Sequence, residues 1–312
     1  MRVLVTGADG FAGGWLVRRL LAAGAGVTGT HRLGGEPSRL LERSEHEAVT
    51  WRSLELRDRE SVRAAVDGSW DAVAHLAGLA SGAEARRDPG LAWDVNAGGT
   101  ARIAEALGGG GTRGPLLLVV STGEVYGAGA SPRTESDPCV PTSPYAASKL
   151  GAELAAQETS RRTGLRVVIA RAFPHTGPGQ DARFVLPALA SRLLEARAAG
   201  AREIASGPLD PVRDLLDVRD VAAAYEALLR MGVPGEIYNV ASGAGLALRE
   251  VLDRLCRLAG WEVTPSIDPA RARAGDLGRV VGDPAKLREA TGWEPRIPMD
   301  QTLADLLDAQ AH

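Results

Sequence analysis

The sequence predicts a doubly wound α/β fold: a parallel sheet with helices on both faces and a smaller lobe toward the C-terminus. Three observations carry this. Short apolar runs alternate with amphipathic stretches as far as residue 172, the pattern of strands joined by crossover helices. A glycine-rich turn, TGADGFAG (6–13), falls between the first apolar run and the first amphipathic stretch. Beyond residue 172 the alternation loosens, and Pro174, Pro178, Pro187, Pro208 and Pro211 punctuate loops and short helices.

In chain order, strands are expected at RVLVTG (2–7), GVTGT (26–30), VTWRSLE (49–55), AVAHLAG (72–78), PLLLVVST (115–122) and LRVVIARA (165–172). Runs as continuous as PLLLVV fit strands buried on both faces of a parallel sheet. Helices are expected between them at 13–24, 59–68, 91–108 and 144–164. EIYNVAS (236–242) reads as one more strand, rejoining the main sheet. The glycine run at 108–111 precedes a strand rather than a helix, so it reads as a loop and not as a phosphate cradle. The expected division is one unit over 1–172 plus about 216–243, and a lobe over 173–215 and 244–312.

Composition narrows the function classes. The 312 residues, 45% of them hydrophobic, suffice for a substantial core. A net charge of −3 lacks the basic footprint of a nucleic-acid protein. No apolar run reaches the ~18 residues of a membrane span. MRVLVTG enters a strand directly, without the pattern of a secretory leader. Cys139 and Cys256 show no CxxC pattern. Free thiols and a cytoplasmic chain are expected. The five histidines (31, 46, 75, 175, 312) lack ligand spacing, so no metal site is expected.

Gly7, Gly10 and Gly13 give the spacing GxxGxxG at a strand–turn–helix junction. Glycine there allows positive φ, close approach of backbone to a pyrophosphate, and tight packing of helix on strand. The helix N-terminus adds amide donors for phosphates. This is the turn of a Rossmann dinucleotide site. NAD enzymes place an acidic residue at the end of the second strand to hold the ribose 2′-OH. Here the residues are Thr30, His31 and Arg32. A cation there suits a 2′-phosphate, which favours NADP(H), with NAD(H) as the alternative. Phe11, Glu55, Leu56, Leu76, Ala77, Gly78, Asn96 and Ser121 are further cofactor-lining candidates by position.

The chemical end is read from STGEVYG (121–127) and SPYAASK (143–149). In an extended backbone Thr122, Glu124 and Tyr126 would share one side. Tyr145 and Lys149 are four apart, neighbours on one helix face. A phenol titrates near pH ~10, and a neighbouring ammonium would lower that value. Such a tyrosine can exchange a proton with a carbonyl or alcohol while a nicotinamide exchanges hydride. Tyr126 has no such lysine, so packing suits it better.

Together these motifs resemble the extended short-chain dehydrogenases/reductases, the nucleotide-sugar epimerases, dehydratases and reductases. TGADGFAG is similar to that family's TGxxGFxG, Tyr145 and Lys149 to its YxxxK, and Asn96 in DVNAGGT to the Asn of its NxxGT helix. VRDLLDVRDVAAAY (212–225) resembles its RDFxxVxDxxxA segment. The resemblance covers essentially the whole chain. It implies that Thr122 orients the substrate oxygen, that Tyr145 donates the proton, and that Lys149 tunes Tyr145 and holds the nicotinamide ribose. Asn96 would hold the active-site end of the cofactor's surroundings or a relay water. Arg213 would lie near the substrate pyrophosphate, with Asp217 and Asp220 flanking the return to the sheet. The second unit would be a nucleotide-sugar-binding lobe, and helices 91–108 and 144–164 would form a homodimer interface.

Within the family the likeness is to reductases of GDP-4-keto-6-deoxy-D-mannose, through HTGPGQ (175–180), the VRD segment and residues 270–298. That likeness adds His175, Arg271 and Arg273 as substrate contacts, the arginines clamping the diphosphate. Pro174 departs from it by replacing an Asn and its amide. Glu124 keeps a second reading open, because dehydratases of GDP-mannose carry a Thr-x-Glu whose carboxylate handles a sugar proton. An epimerase is a third reading, and an NADP-sensing protein without activity a fourth.

Overall fold

The computed structural model describes residues 1–35, 38, 40–129, 132–268 and 277–311. Its central sheet contains β1 (Arg2–Thr6), β2 (Gly26–His31), β3 (Thr50–Ser53), β4 (Ala72–His75), β5 (Leu116–Thr122), β6 (Arg166–Ala172) and the strand Ile237–Val240. All pairings are parallel. The spatial order is Ile237–Val240, β6, β5, β4, β1, β2, β3. The chain runs outward from β1 to β3, then returns to β4 on the other side of β1. That reversal is where ligands bind in open α/β sheets.

Strand alternation divides the apolar side chains between two faces. Val3 and Val5 point to one face and Leu4 to the other; Leu116 and Leu118 oppose Leu117 and Val119 in the same way. Each of these is 6% exposed or less. Helices Phe11–Ala22 and Val218–Met231 cover the first face. Helices Arg59–Val66, Gly99–Gly108 and Pro144–Thr163 cover the second. With both faces dry, these strands read as continuous apolar runs.

A separate apolar core joins helices Val185–Ala199, Leu248–Ala259 and Met299–Gln310 through Leu189, Leu193, Val251, Leu255, Leu303 and Leu306. Leu287 and Trp293 pack instead with the core of the sheet. Helix Ala285–Thr291 therefore rests against the sheet, although it falls in the segment expected in the lobe.

Several local expectations change. AVAHLAG is strand only to His75, because residues 76–78 leave the sheet at its edge. The expected helix 91–108 is Pro89–Ala92, a π-turn over Trp93–Gly98, and Gly99–Gly108. Extended backbone stops at Thr122, and Gly123–Tyr126 is a 3₁₀ turn capped by the Thr122 hydroxyl, which accepts from Glu124 N at 3.2 Å. Thr122, Glu124 and Tyr126 therefore do not share a side. Tyr126 turns inward and donates to Asn239 Oδ1 at 2.8 Å. Pro187, read among the prolines that punctuate loops and short helices, lies in the first turn of a longer helix, the 15 residues Val185–Ala199, where no intrahelical N–H bond is lost.

Candidate active site

The strand ends of β1, β2, β4 and β5 converge at the reversal point. After Thr6 the chain turns through Gly7 at φ +70° into the helix capped by Gly10. A side chain on Gly7 would meet the Ala77 backbone at 2.8 Å, and one on Gly13 would collide with the Gly7 carbonyl. Glycine at these positions thus brings the helix start against the strand end and leaves a backbone cradle open. Thr30 pins the turn to β2: its hydroxyl accepts from Gly7 N (3.1 Å) and its carbonyl from Ala8 N (3.0 Å).

The end of β2 carries the candidates for cofactor choice. Arg32 is exposed, and among the described residues no ion pair holds its side chain. Its amide donates to Asp9 Oδ2 at 3.2 Å. His31 is half-buried, with Nδ1 2.9 Å from the Arg32 carbonyl. Glu55 is occupied by Arg57, which donates through its amide (3.0 Å) and Nε (3.1 Å); these bonds hold the carboxyl below its usual range. Leu56 is buried under Gly99.

The segment after β4 is held by a chain of hydroxyls. Ala77 N donates to Thr6 Oγ1 at 3.2 Å. That hydroxyl then donates to His75 Nδ1 (2.8 Å), and His75 Nε2 donates to Thr100 Oγ1 (3.1 Å), which donates to the Asn96 carbonyl (2.7 Å). This order requires neutral His75 with its proton on Nε2. Burial, and secondarily the Lys149 charge, push the imidazole down to about 3. The Asn96 side chain accepts from Leu79 N (2.8 Å) and donates to Leu79 O (3.2 Å) and Ser148 Oγ (2.9 Å). With all its polar atoms on protein partners, Asn96 clamps the segment after β4 to the helix Pro144–Thr163. Leu76 and Ala77 line this segment, and a side chain on Gly78 would come within 3.7 Å of Lys149 Nζ.

Tyr145 and Lys149 project from the helix Pro144–Thr163 toward β5. Tyr145 is half-buried, with the Thr122 side chain near enough to bear on its phenol. Burial and the nearby Glu124 carboxylate push the phenol up, and Thr122 opposes them. The expected lowering by Lys149 is therefore replaced by the opposite shift. Burial and Glu124 are the reason, and Lys149 does not offset them because its Nζ donates to the Val120 carbonyl at 2.7 Å. Burial pushes this ammonium down to about 8. A phenol held protonated suits an acid that gives a proton to a forming alcohol. Ser121 donates to Glu153 Oε1 at 2.5 Å.

The remaining candidates lie farther out. His175 stacks on Phe11, centroids 6.1 Å apart and planes 9° apart, so it borders the glycine turn. Burial pushes this imidazole down. Arg213, on the short strand Val212–Asp214, donates to the carbonyls of Val212 (2.9 Å) and Leu277 (2.5 Å). Arg271 and Arg273 lie outside the described residues. Ser148, Glu153, Arg171 and Asp9 were not anticipated. Glu153 had a readable signal, one helical turn beyond Lys149; the others depend on which chain segments meet.

A glycine turn at the reversal point and a Tyr–Lys pair facing the end of β5 define a nicotinamide-dependent site of the extended short-chain dehydrogenase/reductase type. The model of the family described as GDP-mannose 4,6 dehydratase matches residues 4–306. A GDP-6-deoxy-D-mannose reductase of Pseudomonas aeruginosa is 39% identical over 241 residues, covering 76% of this chain and 79% of that protein. The structure of RMD from Pseudomonas aeruginosa, complexed with NADPH, is similar at TM-score 0.83 and 34% identity, covering 99% of this chain and 98% of that one. A Thermus thermophilus UDP-glucose 4-epimerase, complexed with NAD, is similar at TM-score 0.86 and 33% identity, covering 100% and 99%. The chain belongs to the GDP-mannose 4,6-dehydratase family of extended short-chain dehydrogenases/reductases.

Proposed function

We propose that this protein is an NAD(P)H-dependent reductase of a nucleotide-linked 4-keto-6-deoxy sugar, with GDP-4-keto-6-deoxy-D-mannose as substrate and GDP-D-rhamnose as product. The observation that carries the reading is Tyr145, held protonated against Thr122 at the end of β5. Likeness to the Pseudomonas aeruginosa reductase supports the choice of sugar. The nicotinamide, when bound, supplies the hydride to C4. Tyr145 gives its proton to the oxygen on C4 as charge develops there. Thr122 holds that oxygen in line with the phenol, and Lys149 places a positive charge behind it.

The residues fit a dinucleotide: the cradle bounded by Gly7, Gly10 and Gly13 takes the pyrophosphate, and residues 76–78 border the path toward Lys149. Arg32 supports NADP(H) as the preferred form. The second apolar core, with Arg213 beside it, would hold the nucleotide sugar. Exposed Trp93 and Leu154 (47% and 58%) on the helical face support a homodimer. Among the described residues, no helix is long and apolar enough to cross a membrane.

The test follows nicotinamide absorbance with NADPH and enzymatically generated GDP-4-keto-6-deoxymannose. Stoichiometric oxidation with a 6-deoxyhexose product is expected. Tyr145→Phe should lose about 10²–10⁴-fold in turnover while binding NADPH as before; unchanged turnover refutes the proton donor. Glu124, close enough to Tyr145 to raise its phenol, favours one second reading, a GDP-mannose 4,6-dehydratase. A keto sugar formed from GDP-mannose without net cofactor consumption would establish that reading instead.

A further inference from the structure

Beneath the Tyr145–Lys149 pair lies a buried ion pair that the reduction step does not use. Glu153 is 1% exposed and Arg171 4%. Arg171 forks onto the carboxylate, Nη2 to Oε2 at 2.7 Å and Nε to Oε1 at 3.0 Å. Ser121 adds its 2.5 Å bond to Oε1. Burying two ions costs about as much as their attraction returns, so stability alone explains the pair poorly.

Its placement explains it better. Tyr145, Lys149 and Glu153 stand one turn apart on one stripe of the helix. Consecutive residues of β5 hold all three: the Val120 carbonyl takes Lys149, the Ser121 hydroxyl takes Glu153, and Thr122 meets Tyr145. We propose that Glu153, anchored by Arg171 and Ser121 one turn beyond Lys149 on the same stripe, is a positioning residue for Lys149, the counter-charge to the ammonium that Val120 aims.

The groups facing Lys149 support this assignment. Its own helix offers Tyr145 and Glu153, and β5 offers the Val120 carbonyl. The segment after β4 offers neutral His75 and Gly78, where a side chain would stand 2.8 Å from Asn96 Oδ1 and 3.7 Å from Lys149 Nζ. Arg171 on β6 lies behind Glu153, and Glu124 bears on Tyr145. Among the described residues Glu153 is the anion that raises the Lys149 ammonium against its burial.

The inference rests on reading Tyr145 and Lys149 as the proton-delivering pair, yet it can be tested apart from turnover. The sequence holds two lysines, Lys149 and Lys286, so lysine side-chain NMR follows Lys149 directly. Lys286, paired with Glu236 at 2.7 Å, is the internal reference. Glu153→Gln should lower the Lys149 midpoint by about one unit, tenfold in proton affinity. Glu153→Asp should restore it. The double variant Glu153→Gln/Arg171→Gln leaves neither ion unpaired and should still lower it, which keeps the test open if the single variant fails to fold. The alkaline limb of kcat should move with the midpoint. An unmoved midpoint in a folded variant lacking the Glu153 charge overturns the proposal. If the wild-type protein reduces no keto sugar while the midpoint moves as expected, the reaction assignment fails and the positioning role stands.

Discussion

Arg32 and Asp9 meet at the end of β2, the corner where the proposed cofactor would distinguish its two forms. The Asp9 carboxylate takes the amide of Arg32, which leaves the guanidinium exposed and directed by little else. A charge-assisted bond to a 2′-phosphate contributes roughly 1.5–3 kcal/mol. Arg32→Ala should therefore raise the KM for NADPH at least tenfold and leave that for NADH unchanged, in initial-rate measurements with both. Equal effects on the two would remove the basis for NADP(H) preference. His75 predicts a pH effect of definite sign. Folded, it titrates at about 3; unfolded, near 6.5. Between those values the unfolded chain binds a proton that the folded one does not. Its contribution is fully present above pH ~6.5 and is lost as pH falls toward ~3, by at most about 1.4 kcal/mol per pH unit. Urea midpoints at pH 7 and 5 should differ more in the wild type than in His75→Gln. An equal difference would show that the imidazole stays protonated inside.

The elements that meet at the site do so through backbone proximity as much as through side chains. Helix Phe11–Ala22 begins against β1 because Gly13 has no Cβ to strike the Gly7 carbonyl. Gly13→Ala must displace backbone, a strain of roughly 1–3 kcal/mol. Thermal unfolding should show that loss, and titration calorimetry should show weakened cofactor binding. Gly26→Ala, where a side chain would meet nothing within 4 Å, is the control and should change neither. The strand residues Val120, Ser121 and Thr122 act as one unit against the stripe Tyr145, Lys149 and Glu153. The π-turn at Trp93–Gly98 has a comparable role. By inserting a residue into the helical repeat it rotates Asn96 onto Leu79 and Ser148. Such bulges accompany functional sites in helices, and no local propensity in DVNAGG announces one.

For the whole molecule, the exposed apolar side chains Trp93 and Leu154 lie on neighbouring helices of one face. Gly151 leaves room for the Trp93 ring, since a side chain there would meet Cζ3 at 2.5 Å. Leu154→Glu should convert the proposed dimer to a monomer in sedimentation, with the fold retained by circular dichroism. A wild type that sediments as a monomer would refute the interface. The sheet strands, the glycine turn and the Tyr–Lys spacing were legible because each is written in periodicity or in short-range spacing. The helices after residue 172 were poorly legible. Val185–Ala199 begins with a proline in its first turn, and its apolar face is completed only by Leu248–Ala259 and Met299–Gln310. By itself, then, the sequence determined the strand–turn–helix order and the spacing that sets Tyr145 and Lys149 on one helix face, since these rest on local geometry. Tertiary structure alone decided that burial and Glu124 raise the Tyr145 phenol, that Lys149 donates to the Val120 carbonyl, and that Asn96 is a clamp. Burial and the meeting of distant charges set those states, and neither is encoded within any one segment.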